Sequence, residues 1–127
     1  MPRILLVDDD EVFNMLHSEI LERVIPNASI ESLQSGRELM TYLDQNPHEE
    51  IDLLLIDIRM PTMSGIETLE QLSQTSPTRL EQIQIYLLSS TLDPAEIRHA
   101  TSIPCVTGYI DKPMMFESVP SLSRTEG

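Results

Sequence analysis

Two kinds of apolar pattern alternate along this chain. Residues 4–7 and 53–56 are continuous apolar runs, the pattern of short strands covered on both faces. Residues 28–33, 83–88 and 105–110 complete a predicted set of five strands. Between them the spacing changes to that of helices. Val12, Leu16 and Ile20 recur every four residues, and Phe13, Leu21 and Val24 widen the stripe, predicting a helix over 11–25 that Pro26 ends. Ser35-Gly36-Arg37-Glu38 and Ser64-Gly65-Ile66-Glu67 are capping boxes, in which a serine hydroxyl and a glutamate carboxylate satisfy the first free amides of a helix. The second helix then turns Leu39, Met40 and Leu43 inward. The third aligns Ile66, Leu69 and Leu72, with Pro77 in the loop beyond. Asp93-Pro94-Ala95-Glu96 opens a fourth helix with an acidic cap and a first-turn proline. Residues 114–122 would make a short final helix, which Pro120 interrupts.

Strands alternating with helices imply right-handed crossovers and an α/β fold, a parallel sheet sandwiched between helical layers. Residues 1–127 read as one domain without repeat or linker, and no effector domain is expected after it. At 40% hydrophobic and 23% charged residues, the composition is that of a folded globular protein.

The net charge of −13 changes the picture of partners, because it repels the nucleic-acid backbone and an anionic membrane surface. Neither contact is expected, and the chain is expected to be a monomer or a weak dimer. A lone cysteine, Cys105, cannot form an internal disulfide and is expected to be buried and inert. Four apolar residues before Asp8 are too few for a signal-peptide core, so the expected location is cytoplasmic.

The candidate chemistry lies at the strand ends, where open parallel sheets bind their ligands. The first strand delivers Asp8, Asp9 and Asp10, the third Asp57, the fourth Ser89 and the fifth Lys112. Singly, each has a plain explanation as a cap, a turn residue or a solvated charge. Together they gather carboxylates whose mutual repulsion at about 4 Å is roughly 4 kcal/mol at an effective dielectric near 20. A cation is required among them, and magnesium or manganese suits hard oxygen ligands that leave room for phosphate. Zinc is not expected, since His17, His48 and His99 are not placed at this rim and Cys105 begins a strand.

These residues carry a resemblance. Ile4-Leu5-Leu6-Val7-Asp8-Asp9, Asp57-Ile58-Arg59-Met60-Pro61 with Gly65 following, Leu88-Ser89-Ser90, and Gly108-Tyr109-Ile110-Asp111-Lys112-Pro113 resemble, in that order, the receiver domains of bacterial two-component response regulators over residues 3–122. The resemblance implies a flavodoxin-like sheet of strand order 2-1-3-4-5. It implies that Asp57 accepts a phosphoryl group, and that Asp8, Asp9, Asp57 and the backbone carbonyl of Arg59 hold the metal. The backbone of Arg59 and Ser90 would then bind phosphoryl oxygens, Lys112 would pair with one of them, and Ser89 and Tyr109 would form a switch. The implied partners are a sensor histidine kinase or histidine phosphotransfer protein, and a target bound by the fourth helix, fifth strand and final helix.

Phosphoryl transfer suits such a site on physical grounds, because a cation on one side and an ammonium on the other stabilise charge on the equatorial oxygens. Arg59 and Thr91 stand where side chains would control water access to the acyl phosphate. Three other readings stay open. A phosphorelay shuttle keeps the same chemistry. A magnesium-dependent aspartyl-phosphate phosphohydrolase would place an acid where Arg59 stands. A degenerate receiver used only for binding would lack one of Asp9, Asp57 or Lys112.

Overall fold

The computed structural model describes residues 1–90 and 93–122. Five parallel strands, β1 (Arg3–Val7), β2 (Ser29–Leu33), β3 (Leu53–Asp57), β4 (Gln84–Ser89) and β5 (Gly108–Asp111), form one sheet of order β2-β1-β3-β4-β5. This is the flavodoxin-like order expected. Both apolar runs lie at the centre of the sheet, where β1 pairs with β3 from Ile4 opposite Leu53 to Val7 opposite Ile56.

Successive residues of each strand face opposite sides, so the sheet separates two cores. On one side Ile4, Leu6, Leu53, Leu55, Leu88 and Ile110 pack with Ile20 and Leu21 of α1 (Glu11–Val24) and with Met114 and Leu122. On the other, Leu5, Val7, Leu54, Ile56 and Leu87 pack beneath α2 (Gly36–Gln45), α3 (Gly65–Thr75), α4 (Pro77–Glu81) and α5 (Pro94–Thr101). Burying each such leucine or isoleucine contributes about 1.5–3 kcal/mol. Helices cover both faces.

The box at Ser64 and Glu67 is reciprocal and Asp93 accepts from the Ala95 N–H, but at Ser35 only half of the predicted box forms: Ser35 accepts from the Glu38 N–H, while the Glu38 carboxylate accepts from the Gln34 N–H one residue earlier. The far end of the sheet is tied by two arginines. Arg79 donates to the carbonyls of Leu43, Asn46 and Glu49 at 2.6 to 2.9 Å. Arg3 bonds Glu49, Ser29 and Tyr42, and the Tyr42 hydroxyl itself donates to Glu49.

Four other expectations need correction. Helix α1 is rotated from the predicted stripe: Val12, Leu16 and Val24 are exposed, and Asn14, His17, Ile20 and Leu21 are buried. The polar pair can face inward because Asn14 donates to the carbonyls of Asp8 and Leu33, and His17 accepts from the Met114 N–H. Pro77 does not lie in a loop but opens the single-turn helix α4. Strand β5 begins at Gly108, which leaves Cys105 half-buried in the turn before it, beside the Ser73 hydroxyl. Finally, residues 114–122 form no α-helix, only a 3₁₀ turn over Phe116–Ser118. The missing proline donor at 120 and the absence of a side-chain cap at Met115 account for this.

Candidate functional site

The C-terminal rim of the sheet collects the predicted side chains. Asp8 follows β1 directly, Asp57 ends β3, Ser89 ends β4, and Lys112 follows β5. Asp8 and Asp57 are 1% and 5% exposed and Asp9 is open to solvent, yet ligand oxygens of all three lie within 4.8 Å of one another. The Lys112 ammonium reaches into the same cluster, 2.8 Å from Asp8 Oδ2 and 3.4 Å from Asp57 Oδ1.

Backbone contacts fix these positions. The Lys112 N–H donates to the Ser89 carbonyl at 2.9 Å, and the Ile58 N–H donates to Leu88 at 3.0 Å, so β3, β4 and β5 are stitched together beyond their last paired residues. Gly65 brings α3 against the loop that follows Asp57: a Cβ there would lie 2.2 Å from the Asp57 carbonyl oxygen. Its N–H donates to Ile58 at 2.8 Å, closing the loop between. Within that loop Thr62 has a φ of 72°, and the Met63 N–H reaches the Pro61 carbonyl in the i to i+2 pattern of a γ-turn.

Electrostatics set Asp57 apart. Burial, reinforced by Asp8 and opposed by Lys112, pushes its pKa up to about 6. Burial alone would lower the Lys112 pKa, but hydrogen bonding and charge from Asp8 and Asp57 outweigh it and the ammonium is held above its ordinary value. Lys112 does not satisfy the cluster. Three carboxylates share one ammonium: Asp8 Oδ2 holds it at 2.8 Å and Asp57 Oδ1 at 3.4 Å, so the cluster keeps an excess of negative charge. An all-carboxylate group with that excess suits a hard divalent cation of the magnesium or manganese kind.

The remaining predicted residues lie around this cup. Ser89 is buried, and Ser90 next to it is exposed. Tyr109 is 41% exposed, with Met115 and Phe116 exposed beyond β5 and Met114 buried. The Arg59 guanidinium bonds Glu96 on α5 at 2.9 and 3.3 Å. Thr91 lies outside the described residues.

Two features were missed in the sequence. Asp10 caps α1 through the Val12 N–H, and its own N–H donates to Asp8 Oδ1, so the third aspartate orients the first. His17 was set apart from the rim, yet it lies behind it within the electrostatic reach of Asp8 and Lys112. Burial, the dominant cause, and Lys112 lower its pKa, opposed by Asp8.

The family model for the response regulator receiver domain matches residues 4–122. A probable methanogenesis regulatory protein, FilR2 of Methanothrix harundinacea, is 30% identical over 91% of this chain and 75% of its own length. The transcriptional regulatory protein CpxR of Escherichia coli K12 is 41% identical over 61% of the chain, which spans only 31% of that longer protein. Among solved structures, a two-component response regulator from Cytophaga hutchinsonii superposes with a TM-score of 0.86 at 27% identity, covering 93% of this chain and 90% of that one. With the acidic cup and its lysine where the strand ends place them, this chain belongs to the response regulator receiver domain family.

Proposed function

We propose that this receiver domain takes a phosphoryl group from a histidine kinase or histidine phosphotransfer protein onto Asp57 and uses it to switch a protein-binding face, in the cytoplasm. The observation that carries this reading is the convergence of Asp8, Asp9 and Asp57 around the Lys112 ammonium at the sheet's rim.

In this reading Asp57 is the carboxylate nucleophile. Asp8, Asp9 and Asp57, with the Arg59 carbonyl, would hold magnesium or manganese, which would supply electrophilic stabilisation of the transferred group. Lys112 binds one phosphoryl oxygen from the opposite side, and the backbone N–H groups of Arg59 and Ser90 bind others. The Ser89 hydroxyl moves toward the new dianion, and the exposed Tyr109 ring turns into the space vacated. Tyr109, Met115 and Phe116, exposed beside one another in sequence order along β5 and the 3₁₀ turn, would form the surface that a target reads together with α5.

Incubation with acetyl phosphate, with and without magnesium, tests the chemistry by intact mass. One magnesium-dependent phosphoryl adduct is expected, absent in Asp57→Asn; an adduct that persists in that variant would place the acceptor elsewhere. Transfer onward to a histidine phosphotransfer protein in the same assay would mark a shuttle rather than an endpoint.

A further inference from the structure

Lysine is a flexible four-carbon tether for a point charge, and nothing in its own chemistry keeps the ammonium aimed at one place. Here two side chains of α1 do so. The Phe13 ring lies beneath the Lys112 ammonium, 4.1 Å from Nζ to the ring centroid, a cation–π contact. One turn later His17, wholly buried, accepts a hydrogen bond at Nε2 from the Met114 N–H, 3.0 Å away and two residues beyond Lys112. The two rings are i, i+4 neighbours on one helix face, with centroids 5.7 Å apart and planes tilted by 36°.

The same helix begins at the acid cluster, where Asp10 caps it and donates its N–H to Asp8. Helix α1 therefore touches both sides of the cup, Asp8 through its N-cap and the Lys112 ammonium through Phe13. His17 is suited to its part. An imidazole that accepts at Nε2 carries its hydrogen at Nδ1 when neutral, and that Nδ1 is buried without a partner among the described residues. Core packing alone would not select a ring with an unsatisfied polar atom. The Met114 N–H, equally buried, would lose its acceptor without it.

We infer that Phe13 and His17 are positioning residues for Lys112, a cradle on α1 that aims the ammonium at the acceptor before the phosphoryl group arrives. This rests on the reading of Asp57 as phosphoacceptor for its consequence in catalysis, but not for the geometry itself. Preorganised charge is what makes such a group effective in the transition state, and small misplacements are costly.

The geometry is tested by NMR on the metal-free, unphosphorylated protein, so it does not depend on Asp57 chemistry. The Lys112 ε-methylene protons, held over the Phe13 face, are expected at ring-current-shifted upfield positions. Phe13→Leu should return them to ordinary lysine positions, His17→Leu should do so in part, and His17→Gln, which retains an acceptor for Met114, should preserve the shift. The consequence is tested with acetyl phosphate and saturating magnesium. Phe13→Leu and His17→Leu should slow the maximal rate of Asp57 phosphorylation at least about tenfold, with the half-saturating phosphodonor concentration unchanged and His17→Gln close to wild type. Unshifted Lys112 protons in the wild type, or a wild-type rate in Phe13→Leu, would overturn the inference. If His17→Leu fails to fold, the Phe13→Leu pair of measurements decides alone. Failure of the wild type to accept phosphate would count against the Asp57 reading and leave the NMR result to judge the cradle.

Discussion

The Lys112 ammonium rests closer to Asp8 than to Asp57, at 2.8 Å against 3.4 Å. The lysine thus neutralises the carboxylate that, under the proposed reading, a divalent cation would share.

From this competition, Lys112→Ala is expected to bind magnesium more tightly, on the order of tenfold, a change of about 1.4 kcal/mol. Titration calorimetry on the unphosphorylated protein measures it. An unchanged or weaker affinity would mean that Lys112 and the cation do not contend for Asp8.

The raised pKa of Asp57 gives a pH dependence of definite sign. Its folded value of about 6 stands above the ordinary 3.8, so the folded state binds this proton more tightly than the unfolded chain does. The favourable contribution is complete below 3.8 and is lost as pH rises through about 6. His17 works in the opposite sense: its pKa is lowered from 6.5 by burial, so its contribution is present above 6.5 and is lost as pH falls through its folded value. In metal-free protein Asp57→Asn should therefore stabilise most at pH 7 and above, with the gain shrinking toward pH 4. Thermal unfolding of both proteins across this range decides the matter, and a gain that grows on acidification would contradict the assignment.

Gly65→Ala should destabilise the fold by about 1–3 kcal/mol, the usual cost of overpacking. The added methyl would lie 2.2 Å from the Asp57 carbonyl, and backbone cannot yield as a side chain can. Urea unfolding gives the number. The loop after Asp57 should shift with it, so a variant of wild-type stability would show that α3 can recede at no cost.

How much of this was legible in the sequence depended on how local the signal was. Strands β1 and β3 and the caps at Ser35, Ser64 and Asp93 were readable because continuous burial and cap chemistry are written in adjacent residues. Asp8 and Asp57 were readable because each ends an apolar run, and Lys112 because it stands in the closing Asp111-Lys112-Pro113 of the last strand. The phase of α1 was not, since Val12 and Leu16 are as apolar as any core residue, and the partners that draw Asn14 and His17 inward, the carbonyls of Asp8 and Leu33 and the amide of Met114, are set by the tertiary fold. The single turn that Pro77 opens is five residues long, too short for a helical apolar period to show, whereas Pro94 follows the legible acidic cap of Asp93. The cradle around Lys112 was hidden for the same reason as the helix phase.

The ties made by Arg3 and Arg79 at the opposite end of the sheet bear on how a signal could travel. Those guanidiniums lock loops and helix ends to carbonyls and carboxylates where no chemistry occurs. Under the proposed switch, a displacement at the rim would meet that clamped base and pass instead toward the edge strand β5, where a small movement of the buried Ser89 hydroxyl would change what the exposed Tyr109 offers outside.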